Sequence, residues 1–244
     1  MHANLNWRIV MSRKQALEEI PALWELNVVW NVLTDEQKDY ISQNAKVYTF
    51  KKNEIIHHEG DIPTHMMMLV EGKVRVYKEG VGNRIQIIRM LKPYDFFGYR
   101  AMIADEAYNT SVSALEPSVV YYVKKEAFLN IIRENNEFCY LFMIEMARDL
   151  GQSDKRSVSL TQKHTRGRLA EALLSLKDNY GLDEDEATIS MYMSREDLAN
   201  LSNMTTSNAI RTLTSFAEDG IISIDGRKIK ILDMEELIHV SRIG

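Results

Sequence analysis

The chain has a single cysteine and no long apolar run among its 244 residues. Because Cys139 is alone, an intramolecular disulfide framework and an iron–sulfur cluster held by several cysteines of one chain are excluded. No apolar stretch approaches the roughly 20 residues of a membrane-spanning helix. The first residues also lack the charged start, apolar core and small-residue cleavage site of a signal peptide. We therefore expect a cytoplasmic protein without a membrane partner.

The chain also lacks the excess of basic residues that is typical of nucleic-acid binders. Its formal net charge is −5, and residues 162–244 contain 10 Lys and Arg against 14 Asp and Glu. The acidic residues are concentrated at 182–187 and near the C terminus, so a local positive surface is compatible with this balance. The composition is otherwise that of globular domains, 45% hydrophobic and 27% charged, and the length allows two of them.

A helix-turn-helix pattern begins at Ser194. Ser194 and Asp197 form an N-terminal cap for a first helix. Asn203, which tolerates a left-handed backbone, ends that helix, and Thr205 caps a second one. The positions of the second helix that face inward are Ala209, Leu213 and Phe216.

A hairpin follows the second helix. Gly220 ends the helix, and Asp225-Gly226 supplies the positive φ of a primed turn between two short strands. Polar residues at the N-terminal end of such a second helix meet base edges or phosphates in the major groove. The candidate DNA-binding residues are Ser194, Arg195, Thr205, Thr206, Ser207, Asn208, Arg211, Arg227 and Lys228. The alternative is a common small fold of two helices and a hairpin that contacts no DNA.

The first half of the chain reads as sheet. Short alternating runs recur between Lys46 and Val123, and glycine-containing turn signals separate them. Evenly spaced short strands predict an antiparallel barrel or jelly roll. The run 66–68, three methionines, is interpreted as strand with alternate side chains in the core. Before the strands, Thr34 and Gln37 form a capping box that predicts a helix.

Three histidines in this half suggest a metal site, but their arrangement argues against one. Adjacent His57 and His58 in a strand point to opposite faces, so both do not join one ligand set with His65. Cys139, among apolar neighbours, is interpreted as a buried thiol. The chain shows no nucleophile–base constellation and no phosphate-binding glycine loop. We therefore expect no metal, no cofactor and no enzymatic activity.

Residues 137–162 predict one long helix. Its apolar and small residues recur at spacings of 3, 4, 3, 4 and 3, which is the a/d seam of a parallel helix pair. A helix facing its own core gives a similar count. The candidate dimer-interface residues are Met143, Met146, Leu150, Ser153, Ser157 and Leu160.

These features together resemble the Crp-Fnr family of bacterial transcription factors, named after the cyclic-AMP receptor protein and the fumarate-nitrate regulator. The resemblance covers about residues 40 to 235, and Gly60, Gly72 and Gly98 match turns of the family's cyclic-nucleotide-binding β-roll. It implies an α+β fold with an N-terminal extension (1–33), a β-roll sensor domain (34–136), a dimerisation helix (137–162) and a winged helix-turn-helix domain (163–244). The implied function is that of a homodimeric, sequence-specific regulator whose partners are double-stranded DNA and RNA polymerase.

The ligand-binding positions depart from the family pattern. Nucleotide-binding members have a Glu after the glycine matched by Gly98 and an Arg-Ser or Arg-Thr pair about ten residues later, where this chain has Tyr99 and Tyr108-Asn109. A phosphate desolvated without a guanidinium partner costs several kcal/mol, so cyclic AMP is not the expected effector. The candidate effector-binding residues are Tyr99, Arg100, Tyr108, Asn109, Ser153 and Asp154. An unidentified small-molecule effector and a constitutive regulator whose roll serves only dimerisation both remain open.

The family's DNA-reading positions are changed as well. Arg211 matches the family's arginine, whereas Thr206 and Ser207 stand where Arg or Val followed by Glu is frequent. Hydroxyl groups discriminate bases weakly, so the family's usual half-site is not assumed.

Overall fold

A computed structural model describes residues 28–243, so most of the predicted N-terminal extension lies outside the described residues. The chain divides into two compact units. The first contains the described residues up to Arg75 together with Leu91–Met146. The second contains Val76–Met90, which we call the hairpin segment, and the chain from Ala147 onward.

The β-roll half begins with two short helices and continues as strands. The helices are α1 (Val28–Asn31) and α2 (Asp35–Gln43). The strands that precede the next α-helix are β1 (Ala45–Phe50), β2 (Ile55–His57), β3 (His65–Glu71), β4 (Val74–Glu79), β5 (Ile85–Leu91) and β6 (Phe96–Phe97). The remaining elements of this half are α3 (Tyr99–Ala104), β7 (Ser111–Ala114), β8 (Ser118–Lys124) and α4 (Lys125–Glu134). The predicted capping box is present, because Thr34 and Gln37 exchange side-chain and backbone hydrogen bonds at the start of α2.

The strands form two four-stranded sheets. Their orders are β1-β8-β3-β6 and β2-β7-β4-β5. Strand β8 pairs antiparallel with both β1 and β3, and β2 pairs antiparallel with β7. This arrangement confirms the predicted α+β fold with a β-roll of short antiparallel strands.

An aromatic core lies where the helices cover the first sheet. Trp30 and Phe138 have ring centroids 5.7 Å apart, and Phe128 and Phe142 have theirs 5.1 Å apart. The Trp30 indole nitrogen lies 3.2 Å from the Met68 sulfur. These contacts fix the start of the long helix, which carries Phe138 and Phe142, against the roll.

Two predictions about buried residues need correction. Met66, Met67 and Met68 are all buried, whereas alternate burial was expected. The reason is that β3 is covered on both faces: Met66 and Met68 belong to the aromatic core, whereas the Met67 methyl group lies beside Gly98 in the roll interior. Cys139 is only half-buried, because on the long helix it lies beside the core rather than within it.

The long helix and the C-terminal elements follow. They are α5 (Asn136–Gln162), α6 (Thr165–Tyr180), α7 (Arg195–Leu201), α8 (Thr206–Glu218), β9 (Ile222–Asp225), β10 (Lys228–Ile231) and α9 (Met234–Ile243). Leu169, Leu173 and Leu176 of α6 are buried, and α6 contacts both helices of the helix-turn-helix. Two residues, 163 and 164, separate α5 from α6. The described part of the chain has no helix long and apolar enough to cross a membrane.

Candidate DNA interface and sensor interior

Local capping bonds build the helix-turn-helix as the sequence predicts. The Ser194 hydroxyl accepts a hydrogen bond from the Asp197 backbone amide at 3.0 Å, and the Thr205 hydroxyl accepts one from the Asn208 amide at 3.2 Å. Asn203 has a φ of +50° in the turn between the helices. Both hydroxyls therefore hold helix ends, which satisfies amides that the helices leave without partners.

The outer face of α8 carries the predicted DNA-contacting residues. Thr206, Ser207 and Arg211 are exposed, whereas Asn208 is half-buried. The Arg211 guanidinium donates to the Asn208 side-chain oxygen at 2.8 Å. Asn208 thus limits the directions that Arg211 samples. Ile210, an apolar residue that sequence reasoning did not single out, is also exposed beside Arg211.

The wing differs from the prediction by one residue. Asp225 pairs with Lys228, so the two loop residues are Gly226 and Arg227 rather than Asp225 and Gly226. Gly226 has a φ of +56°, and a positive φ at only the first loop position is the pattern of a II′ turn. Arg227 and Lys228 are exposed at the tip of the hairpin.

Arg195 has a different environment from the one expected for a DNA contact. Its guanidinium donates to the Gly226 carbonyl at 2.7 Å, which ties the start of α7 to the wing turn. Its other terminal nitrogen is buried without a hydrogen-bond partner. The structure therefore places the half-buried Arg195 as an anchor of the wing turn.

The acidic residues of 182–187 are used inside the domain. Asp185 accepts hydrogen bonds from the Thr188 backbone amide at 2.8 Å and from the Ala187 amide at 3.1 Å, and Lys230 lies 3.1 Å away. These bonds, led by the Thr188 amide, hold the pKa of the Asp185 carboxyl well below its usual range. Asp183 accepts a hydrogen bond from the Tyr192 hydroxyl. Asp183 and Asp185 therefore use part of the domain's negative charge in contacts around this loop.

Arginine side chains that sequence reasoning missed hold the helix-turn-helix turn. Arg168 of α6 donates to the carbonyls of Ser202 at 3.0 Å and Asn203 at 3.1 Å, and to the carbonyl of Lys163 at 3.0 Å. Arg156 of α5 donates to the carbonyl of Leu201 at 2.8 Å. No sequence pattern marks these contacts, because they join residues 34 and 45 positions apart.

Inside the roll, the candidate ligand positions are filled by protein side chains. Tyr99 and Tyr108 are each only 8% exposed. Tyr99 meets Phe142 edge-on at 5.3 Å, and Tyr108 stacks on His57 with centroids 3.8 Å apart. Burial raises the pKa of Tyr108 to about 12, so its phenol is neutral. Neither tyrosine offers a charge to an anion.

The glycine beside these tyrosines is crowded. Gly98 has a φ of +78°, and a Cβ atom there would lie 2.5 Å from the Met67 methyl carbon and 3.1 Å from the Tyr108 hydroxyl. Arg100 forms an ion pair with Glu106 at 2.8 Å, so its charge is already countered. Asn109 is exposed. The structure therefore brings Tyr99, Tyr108 and Gly98 together but leaves no unpaired cation among them.

His57 is buried in the same interior, and its Nδ1 has no hydrogen-bond partner. Burial lowers the pKa of His57 to about 4. Among residues 28–243, no three His, Cys, Asp or Glu side chains come close enough to hold a metal ion. A shallow cavity of about 260 Å³ lies elsewhere on this unit, lined by Tyr48, Phe50, His65 and Tyr122.

Helix α5 exposes apolar side chains along one side. Met143 is 48% exposed and Leu150 is 64% exposed, and Ser153, Asp154 and Ser157 are also exposed. The remaining exposed apolar residues of this helix are Tyr140 and Val158. Met146 packs partly against the aromatic core of its own chain, and Leu160 is half-buried. Of the six predicted seam residues, four are thus exposed.

Comparison with known families supports each half separately. Residues 47–135 match the model of the cyclic nucleotide-binding domain, and residues 167–240 match that of the Crp-like helix-turn-helix domain. A β-roll, a long helix and a winged helix-turn-helix in this order define a DNA-binding transcription regulator. The chain belongs to the Crp-Fnr family of such regulators.

Relatives from several bacteria are similar over most of the chain. A CRP-like cAMP-activated global transcriptional regulator of Mycobacterium tuberculosis is 22% identical over 83% of this chain and 91% of its own length. The nitrogen fixation regulation protein FixK of Bradyrhizobium diazoefficiens is 28% identical over 75% of this chain and 77% of its own. A Crp/Fnr-family regulator from Eubacterium rectale has a solved structure with the same fold, at a TM-score of 0.71, 21% identity and coverage of 88% and 98%. These relatives are transcription regulators rather than enzymes.

Proposed function

We propose that the protein is a homodimeric, sequence-specific regulator that inserts α8 into the major groove of DNA. The carrying observation is the exposed N-terminal face of α8, on which Asn208 orients Arg211 at 2.8 Å. A symmetric dimer presents two such helices to successive major grooves, about 34 Å apart, on a palindromic site.

The chemistry of this face supports a division of roles. An arginine reads guanine through two hydrogen bonds, whereas Thr206 and Ser207 contribute hydroxyl groups that discriminate less. Ile210 offers apolar contact to a thymine methyl group. Arg227 and Lys228 at the wing tip suit the phosphate backbone, which carries affinity but no sequence information.

The dimer rests on α5. Its exposed apolar side includes Met143 and Leu150, which a second copy of the helix would cover. Ser153 and Ser157 continue this side with small polar residues. A parallel pair would also place two DNA-binding domains side by side, as a palindromic site requires. A cytoplasmic location and contact with RNA polymerase complete this proposal.

A second candidate, a constitutive regulator whose roll binds no ligand, is favoured by the stack of Tyr108 on His57. Such a protein would be regulated through its abundance. Native mass spectrometry of protein purified from its own host separates the two candidates, because a retained small molecule is visible as added mass. Under either candidate, cyclic AMP is not the effector.

Substitution of Arg211 tests the DNA-binding role. We expect Arg211→Ala to lose discrimination between its selected site and random duplex, by about 1 to 3 kcal/mol per half-site, because a base contact is removed twice in a dimer. The sites are first selected from random DNA with the wild-type protein, and affinities are then measured by fluorescence anisotropy.

The matched control is Arg242→Ala, which removes one exposed cation from α9 of the same domain. It should change affinity for both duplexes alike and leave the discrimination intact. Unchanged discrimination in Arg211→Ala would exclude the assigned role of this arginine.

A further inference from the structure

Arg156 of α5 connects this helix to two other elements of the second unit, β5 and α7, through one nitrogen atom. Its Nη2 donates to the carbonyl of Ile87 at 2.6 Å and to the carbonyl of Leu201 at 2.8 Å. Ile87 lies on β5 within the hairpin segment, and Leu201 is the last residue of α7. The long helix is therefore linked at one point both to the hairpin segment and to the helix-turn-helix.

The Leu201 bond has a clear physical basis. The last carbonyls of a helix have no partner inside it and carry the negative end of the helix dipole, so a cation there is favourable. Arg168 donates to the next two carbonyls, those of Ser202 and Asn203. Two guanidinium groups thus hold three consecutive carbonyls just before the recognition helix.

The partial burial of Arg156 makes the position of its guanidinium sensitive to the loss of either carbonyl acceptor. The guanidinium is partly buried, and its Nε has no hydrogen-bond partner. Burial lowers the pKa of Arg156 while Glu171 raises it, yet an arginine stays charged at neutral pH. A partly desolvated charge that loses one of its few acceptors is costly, so both carbonyl bonds are expected to be kept or lost together.

The hairpin segment has a second attachment to the long helix. Arg89 of β5 forms an ion pair with Asp149 of α5, two turns before Arg156. Arg89 and Arg156 thus both attach the segment to α5, and Arg156 also reaches the helix-turn-helix. Arg168 differs in this respect, because its third acceptor, the carbonyl of Lys163, lies in the break between α5 and α6.

From this geometry we propose that Arg156 is a positioning residue for DNA binding. It sets the orientation of the α7–α8 turn on the long helix and makes that orientation depend on where the hairpin segment lies. A shift of β5 that removes the Ile87 carbonyl frees the guanidinium and loosens the Leu201 end of α7. The inference rests on the proposed DNA-binding function and adds a route by which the roll acts on it.

The test compares Arg156→Ala and Arg156→Lys with the control Lys155→Ala, which removes an exposed cation from the adjacent position. We expect Arg156→Ala to lower the ratio of specific to random-duplex affinity by about tenfold, which is a typical size for coupling between sites. Arg156→Lys keeps the charge, but its shorter side chain and compact ammonium do not reproduce the position of Nη2, so it should fold normally and lose a smaller part of the ratio. Lys155→Ala should leave the ratio at its wild-type value.

Hydrogen exchange separates positioning from general loss of stability. In Arg156→Ala and Arg156→Lys, exchange should rise together in residues 85–91 and 198–204, while the buried stretch 169–176 of α6 keeps its protection. An unchanged affinity ratio, a rise in operator affinity, or faster exchange in only one of the two segments would overturn the positioning role. A wild-type protein that selects no sequence from random DNA would instead overturn the proposed function. The hydrogen-exchange experiment does not depend on DNA binding, so the two failures are distinguishable.

Discussion

His57 shows how a single residue couples the roll interior to pH. Its ring is 8% exposed and stacks on Tyr108 at 3.8 Å. Burial lowers the pKa of His57 from 6.5 to about 4, since desolvation disfavours the charged imidazolium. The native state therefore holds this side chain neutral at pH values where the unfolded chain takes up a proton.

The sign of the resulting pH dependence is fixed. Above pH 6.5 neither state is protonated at His57, and between pH 6.5 and 4 only the unfolded state binds the proton, so stability falls as the pH falls. The loss from this group amounts to about 3 kcal/mol. We expect His57→Phe, which keeps a ring against Tyr108, to remove this part of the acid sensitivity in urea denaturation at pH 7 and pH 4.5.

The control variant is His58→Gln at the exposed neighbour. It should lose as much stability on acidification as the wild type. An equal acid loss in His57→Phe would show that this imidazole is not the group responsible.

At the level of single residues, the predictable features are those with short sequence separation. The Ser194 and Thr205 caps involve partners three positions away, so their residue types alone indicate the bonds. Arg156 reaches partners 69 and 45 positions away, and nothing local marks it. The tyrosines at 99 and 108 reveal from sequence that a carboxylate and a guanidinium are missing, but their burial depends on the closed roll.

At the scale of elements, the sequence predicts where helix α5 begins and ends, but it predicts less well which of its side chains face the core of the chain. The helix runs Asn136–Gln162, close to the predicted 137–162. A heptad count finds the repeat but does not decide which neighbouring residues turn toward the chain's own core. Met146 does so, because the first turns of α5 pack on the aromatic cluster, whereas Met143 and Leu150 stay exposed.

Leu150 is accordingly the residue that tests the proposed dimer helix. We expect Leu150→Glu to dissociate the dimer and to weaken operator binding, since two facing carboxylates would be buried in an apolar seam. Analytical ultracentrifugation over a range of concentrations measures the association.

Gln152→Glu is the matched control, because it adds the same charge at an exposed position on the other side of α5. It should remain a dimer. If Leu150→Glu sediments as wild type does, the interface lies on another surface.

At the scale of the whole molecule, the two halves of the chain differ in how closely they keep the family's chemistry. The helix-turn-helix has an exposed arginine, Arg211, on the proposed recognition helix α8, where it donates a hydrogen bond to Asn208. The roll retains its strands and the turn at Gly98, yet it fills its interior with Tyr108 and His57 and pairs Arg100 with Glu106. The fold is thus kept, while buried Tyr99 and Tyr108 stand at the positions to which the family resemblance assigns a carboxylate and an arginine.

The consequence is a prediction about cyclic nucleotides. We expect cyclic AMP and cyclic GMP to give no binding heat in titration calorimetry at physiological concentration and to leave operator affinity unchanged. A bound phosphate would have to leave water beside a neutral phenol, and breaking the Arg100–Glu106 pair to supply a cation would add to that cost. Arg100→Ala serves as the matched variant and should behave as the wild type. Micromolar binding that raises operator affinity in the wild type and is lost in Arg100→Ala would show that Arg100 leaves Glu106 to hold the phosphate, and the roll would then be a nucleotide sensor after all.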